Sequence, residues 1–199
     1  MHLRQAAAAA QDLNDSPFVL VTGNPNKLAE ARRLTGLDVD SVALDLPEVQ
    51  SLSYEEVVRA KAAEAWRRVG PSLGRPLVVE EAGLGLAALN GFPGPLVKWM
   101  LEAAGAEAIA RTALALGDPR ATATCLLLWK DADHEILAVG NTDGTLVAPG
   151  RGANGFGFDP VFSPGDTGLT YGELADAEKD ATSHRGRAWR ALLKLLGRG

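Results

Sequence analysis

The segment Leu77-Val78-Val79-Glu80-Glu81-Ala82-Gly83-Leu84 constrains the chain most. It reads as an apolar strand that finishes in two adjacent carboxylates, ahead of a glycine-rich stretch. In open α/β sheets the carboxyl ends of strands face the ligand crevice. Neighbouring carboxylates there repel, and a divalent cation relieves the repulsion. Magnesium takes oxygen ligands and usually enters with substrate phosphates. The segment is therefore either a metal–phosphate site or a strand end capped by two solvated acids.

An earlier segment points the same way. Phe18-Val19-Leu20-Val21 is a short apolar strand that runs into Thr22-Gly23-Asn24-Pro25-Asn26-Lys27. A helical pattern follows, with Leu28, Ala31 and Leu34 on one face. Strand, polar loop, helix is the arrangement in which backbone N–H groups at a helix start bind an anion. Lys27 in the first turn works against the helix dipole, which suggests a phosphate ligand. The Gly-x-x-x-x-Gly-Lys spacing of a Walker loop is absent. Residues 38–46 read as a second strand, stopped by Pro47 and followed by Glu48. Ser53 and Glu56 fit a capping box for a helix carrying Val57, Lys61, Ala65 and Trp66. Lys61, in an alanine-rich stretch, either snorkels or points into a site.

Beyond Glu81, residues 83–86 and 90–95 are turn-rich. Helical patterns open at Lys98 and run from Glu107 to Leu116. Residues 120–130 and 135–147 form a long antiparallel pair joined at Asp131–His134, with His134 a solvated loop residue. In Gly150–Phe162 glycines alternate with aromatics and the stretch ends in Asp159-Pro160. Glycine lets backbone approach a ligand closely, so Phe156 or Phe158 either stacks on a base or fills the core. Ser183 is a good N-cap. It puts His184 and Arg185 on the first turn of the last helix, where two donors suit an anion or a base carbonyl.

Composition narrows the partners. A chain of 199 residues suits one domain, and 46% hydrophobic content supports a core. A net charge of -5 supplies no basic field, so no nucleic-acid partner is expected. The single cysteine, Cys125, rules out an internal disulfide and a cysteine-cluster metal site, and in its apolar run it reads as an inert buried thiol. No apolar run approaches the roughly 20 residues of a membrane span. Ala6–Ala10 runs into Gln11, Asp12, Asn14 and Asp15, unlike a secretory signal. The expectation is a cytoplasmic protein without a membrane partner.

Four blocks together resemble the inosine triphosphate pyrophosphatase family. They are Thr22–Lys27; Leu46-Pro47-Glu48; Glu80–Leu84 with Leu89–Pro95; and Gly155–Pro160 with Lys179 and Ser183-His184-Arg185. They follow the family's order from Phe18 to the C-terminus. The resemblance implies an elongated α/β fold with a mixed central sheet and two lobes flanking a nucleotide-binding cleft. Residues 17–199 would form that single two-lobed domain, and residues 1–16 a flexible N-terminal extension. It also implies a homodimer, Mg²⁺ as cofactor and a small-molecule nucleoside triphosphate as substrate. The reaction would turn ITP, dITP or XTP into the nucleoside monophosphate and pyrophosphate, cleansing the nucleotide pool.

By matching position, Thr22, Gly23, Asn24, Pro25, Asn26 and Lys27 would cradle the triphosphate, with Lys27 as the direct catalytic cation and Lys61 nearby. Glu48, Glu80 and Glu81 would hold Mg²⁺, and Glu81 would activate the attacking water. Ala82, Phe156, Gly157, Phe158 and Asp159 would line the substrate pocket, with Phe158 as stacking face. Lys179, His184 and Arg185 would read the base, with its 6-keto oxygen as the natural acceptor, and support the phosphates. The family pattern has Asp followed by Ser or Thr where this chain has Glu81 and Ala82. A misplacement of about 1 Å costs on the order of a hundredfold in rate. A catalytically impaired nucleotide-binding protein, or a pyrophosphohydrolase of different base preference, therefore stands as the alternative.

Overall fold

The computed structural model describes residues 17–165 and 167–198. The extension expected over residues 1–16 lies outside the described residues. The strands are β1 (Val19–Val21), β2 (Asp40–Val42), β3 (Leu77–Leu86), β4 (Pro93–Gly94), β5 (Arg120–Lys130), β6 (Glu135–Leu146) and β7 (Phe162–Pro164). The helices are α1 (Pro25–Thr35), α2 (Tyr54–Leu73), α3 (Val97–Ala115), α4 (Asp176–Thr182) and α5 (His184–Leu195). One mixed sheet has the order β2-β1-β3-β5-β6-β7, with β4 paired to β3. β2, β1 and β3 are parallel, and the remaining pairings are antiparallel. The expected α/β class with a mixed central sheet is what the chain adopts.

β3 does not stop at the two acids. It continues through Gly83 and Gly85 to Leu86, because β5 pairs with its whole length, from Leu77 opposite Lys130 to Leu86 opposite Ala121. The glycines serve close packing rather than a turn: a Cβ on Gly83 would collide with the carbonyl of Gly94 in β4. β2 is shorter than the expected 38–46 strand because its partner β1 offers only three residues. The two expected helices after Lys98 form one span, α3, broken at Gly105, whose φ of 81° and ψ of 166° are not helical.

Side chains of a strand alternate between the two sheet faces. Val78 packs with Cys125, Leu127 and Ala138 beneath Ala31 of α1 and Ala188, Trp189 and Leu192 of α5. Leu77 and Val79 pack with Leu126 and Leu128 beneath Val58, Ala62 and Ala65 of α2. Farther along the sheet, Leu84, Leu86, Ala121, Ala123 and Leu146 pack beneath Ile109, Ala110 and Ala113 of α3, together with Phe158, Phe162 and Tyr171. Cys125 is buried and His134 exposed, as expected. No described helix is long and apolar enough to cross a membrane.

Candidate active site

Two hollows, of about 400 and 640 Å³, share Asn24, Lys27, Glu48, Lys61, Lys98 and Trp99 in their walls. The first extends to Phe156, Phe158, Asp159, His184 and Arg185; the second reaches Thr22, Gly23 and Glu80. Local chemistry builds each wall. Asn24 caps α1, its side chain accepting from the backbone N–H of Asn26 (2.9 Å) and Lys27 (3.4 Å), while Pro25 occupies the first turn, where no N–H is needed. Ser53 accepts from the Glu56 N–H at 3.3 Å, but the Glu56 carboxylate turns to Ser51 Oγ, so the capping box is only half made. Ser183 accepts from the Gly186 N–H at 3.0 Å and starts α5. Gly140 of β6 lets that start press on the sheet, since a Cβ there would strike the His184 carbonyl.

Glu80 and Glu81 are neighbours in an extended strand, so they leave opposite faces of the sheet. Glu81 points to the α2 side and accepts from Lys61 Nζ, which lies 3.5 Å from a Glu48 oxygen. The other Glu48 oxygen accepts from Lys98 Nζ at 3.0 Å. Glu80 points to the α1/α5 side. It accepts from Arg185 Nε and Nη2, each at 3.0 Å, and lies 3.1 Å from Lys27 Nζ. The expected metal set is thus split by sheet face: Glu48 and Glu81 meet at Lys61 on the α2 side, while Glu80, which shares the wall of the second hollow with Glu48, is committed to Lys27 and Arg185 on the other side. No group of three or more Asp, Glu, His or Cys side chains converges as a metal cage among the described residues.

Glu80 opens a buried ionic chain. Lys27 meets Glu80; Glu80 meets Arg185; Arg185 Nη1 donates to Glu30; Lys179 Nζ donates to Glu30 (2.8 Å) and to Asp159 Oδ2 (2.7 Å). Asp159 Oδ2 also accepts from the Phe156 N–H at 2.6 Å. Three cations face three anions, and all but Lys27 have side chains less than 8% exposed. The chain runs from the loop at the start of α1 to the loop before Asp159. Burial is the largest single influence and would raise the Glu80 and Glu30 carboxyls, but Arg185 together with Lys27 at Glu80 and with Lys179 at Glu30 outweighs it, so both are lowered. At Glu81 burial prevails over Lys61, and at Asp159 over Lys179, so both carboxyls are raised.

The aromatic pair divides in role. Lys179 Nζ lies 5.2 Å from the Phe156 ring centroid and Arg185 Cζ 5.1 Å, so both cations stack near that ring. Phe158, expected as the stacking face, is 8% exposed and packs edge-on against Phe162 in the core beneath α3. Gly157 and Ala82 line the first hollow, and Ala82 also packs against the core under α5. Glu30, Lys98 and Trp99 were not evident as site residues from sequence. Glu30 had one signal: it lies three residues after Lys27, on the same side of α1.

His184 is buried, and its Nδ1 has no hydrogen-bond partner within the protein. Burial, with Arg185 beside it, drives its pKa well below the ordinary value, so the ring is neutral at neutral pH. The native state then binds fewer protons at this ring than the unfolded chain. Stability from this group is present above about pH 6.5, the unfolded value, and is lost as pH falls toward the folded one. His184→Asn should therefore flatten the fall in thermal midpoint just below pH 6.5. Parallel melting curves of the two proteins across pH 7.5 to 5 check this; identical slopes would contradict it.

The Ham1 family matches over residues 18–195. An inosine triphosphate pyrophosphatase of Puccinia graminis f. sp. tritici is 38% identical over 182 residues, covering 86% of this chain and 92% of the relative. The same-named protein of Yarrowia lipolytica is 38% identical over 183 residues, covering 89% and 94%. A HAM1 protein from Coxiella burnetii superimposes with a TM-score of 0.76 at 26% identity, covering 92% of this chain and 98% of that one. A nucleoside-triphosphatase, dITP/XTP pyrophosphatase, from Mycobacterium abscessus does so at 0.64 and 32% identity, covering 88% and 98%.

Proposed function

The chain belongs to the Ham1 family, and we propose that it hydrolyses noncanonical purine nucleoside triphosphates of the ITP, dITP and XTP kind to the monophosphate and pyrophosphate. The observation that carries this reading is the ionic chain from Lys27 to Asp159, which joins an anion-binding helix start to a pocket of buried donors.

Phosphoryl transfer is mostly positioning and electrostatic stabilisation. The helix start at Asn24–Lys27, with Thr22 and Gly23 before it, offers N–H groups and the Lys27 ammonium to the triphosphate. Glu48 and Glu81 offer the hard oxygens Mg²⁺ prefers, and both lie beside the Lys61 ammonium. The ion, when bound, neutralises phosphate charge. Glu81 takes the proton of the attacking water. A carboxyl raised by burial is a stronger base than a solvated one, and Lys61 fixes its orientation. Lys98, at the cleft mouth on Glu48, adds a further cation within reach of phosphates.

Arg185, Lys179 and His184 surround the base end beside Phe156. Donors there satisfy a 6-keto oxygen and are left unpaired against the 6-amino group of adenine, the kind of mismatch that rejects a substrate strongly. The reading extends to a cytoplasmic homodimer.

³¹P NMR of the protein with ITP, with and without Mg²⁺, beside ATP and GTP, tests the reading. Monophosphate plus pyrophosphate from ITP, only with the metal, is the expected result. Orthophosphate would point to another hydrolase. Bound but unchanged ITP would mean that Glu81-Ala82 has left a binding protein.

A further inference from the structure

We infer that Glu80 is a positioning residue, not a metal ligand: it clamps the phosphate-side Lys27 and the base-side Arg185 into one rigid unit. This deepens the proposed function and rests on it for the identity of the two ends. The first argument is direction. Alternation along β3 sends Glu80 to the α1/α5 face, whereas Glu48 and Glu81 meet at Lys61 by α2. The second is occupancy. A carboxylate offers about four lone-pair sites. Glu80 commits two to the Arg185 fork at 3.0 Å and one to Lys27 at 3.1 Å. Fork-on-carboxylate pairing fixes orientation as well as distance.

The third argument is the geometry of Arg185 itself. Its Nε and Nη2 go to Glu80, and its Nη1 goes to Glu30. Three of its five N–H bonds are thereby committed, and its Cζ is held 5.1 Å from the Phe156 ring centroid at the wall of the first hollow. Lys27, the more exposed member at 24%, is the one link that reaches the phosphate loop. A base that seats correctly against Arg185 thus acts on a unit that includes Lys27. Base recognition then registers in turnover as well as in binding.

The test compares Glu80→Gln, Glu80→Asp and Glu48→Gln. Mn²⁺ alone is titrated into each and the free ion followed by electron paramagnetic resonance. Glu80→Gln should bind Mn²⁺ within about twofold of wild type, while Glu48→Gln should weaken it at least about tenfold. With ITP and ATP as substrates, Glu80→Gln should lose about a hundredfold in kcat/KM for ITP. Its preference for ITP over ATP should narrow, and Glu80→Asp should recover part of both. Loss of Mn²⁺ in Glu80→Gln equal to that in Glu48→Gln would overturn the inference. So would an unchanged ITP-to-ATP ratio. If Glu80→Gln does not fold, the pair Glu80→Gln with Arg185→Gln keeps two buried cations against two anions, and its Mn²⁺ titration decides the same point. The Mn²⁺ arm needs no turnover, so its outcome is separate from whether ITP is hydrolysed.

Discussion

Glu81→Gln should lose turnover of ITP by a factor of about 10² to 10⁴, the range assigned to a positioned general base, while ITP affinity stays within a few-fold of wild type. The amide keeps the shape of the side chain and its place on the α2 face of β3, but it cannot accept a proton from water. Lys61 loses its charged partner and keeps Glu48 at 3.5 Å, so the cleft retains a cation–carboxylate pair. Single-turnover rates and calorimetric titration of ITP separate the two effects. Wild-type kcat in this variant would remove Glu81 from the chemistry. Equal loss of rate and affinity would assign it to binding.

Arg185→Met should be the most destabilising single change in the site. It removes the cation from between Glu80 and Glu30, whose side chains are 2% and 7% exposed. Breaking a buried pair from one side costs about 3–5 kcal/mol, because the remaining charge is left unpaired. Here two carboxylates lose a partner, with Lys27 and Lys179 left to compensate. A melting point lower by on the order of 10 °C follows for a chain of this size. Arg111→Met, which breaks an exposed i,i+4 pair with Glu107, should shift stability by no more than about 0.5 kcal/mol. Thermal denaturation of the two variants side by side is the measurement. Similar melting points would mean that the buried chain is not what holds α1 and α5 to the sheet.

Features written in local spacing were legible without coordinates. Ser183 declares a helix start because a cap needs only its own next three residues. The β5–β6 pair declares itself through two long runs around a short polar loop. The first-turn place of Arg185 follows from the Ser183 cap, but a site role for Lys179 comes only through the likeness of whole blocks to a family, and the burial of both is seen only in the fold. Other features depend on residues far apart in sequence. Glu30 looks like any surface acid of an amphipathic helix until Lys179 and Arg185, some 150 residues later, enclose it. The passage of β3 through Gly83 and Gly85 is hidden because glycines next to acids resemble a turn. Only the approach of Gly94 and the long partner β5 make them a strand. Lys98 opens a helix in sequence and latches onto Glu48 in space, a link between residues 50 apart that no local window contains.

Strand alternation at Glu80 and Glu81 has a consequence for how this chain can change. The two acids are not spares for one another. Deleting or inserting one residue between Leu77 and Glu80, with the pairing to β5 kept, would trade the faces of everything beyond it. The acid meant for water would be walled in against Arg185, and the acid meant for Arg185 would be turned toward Lys61. Within these few positions the reading frame of the strand is itself part of the site.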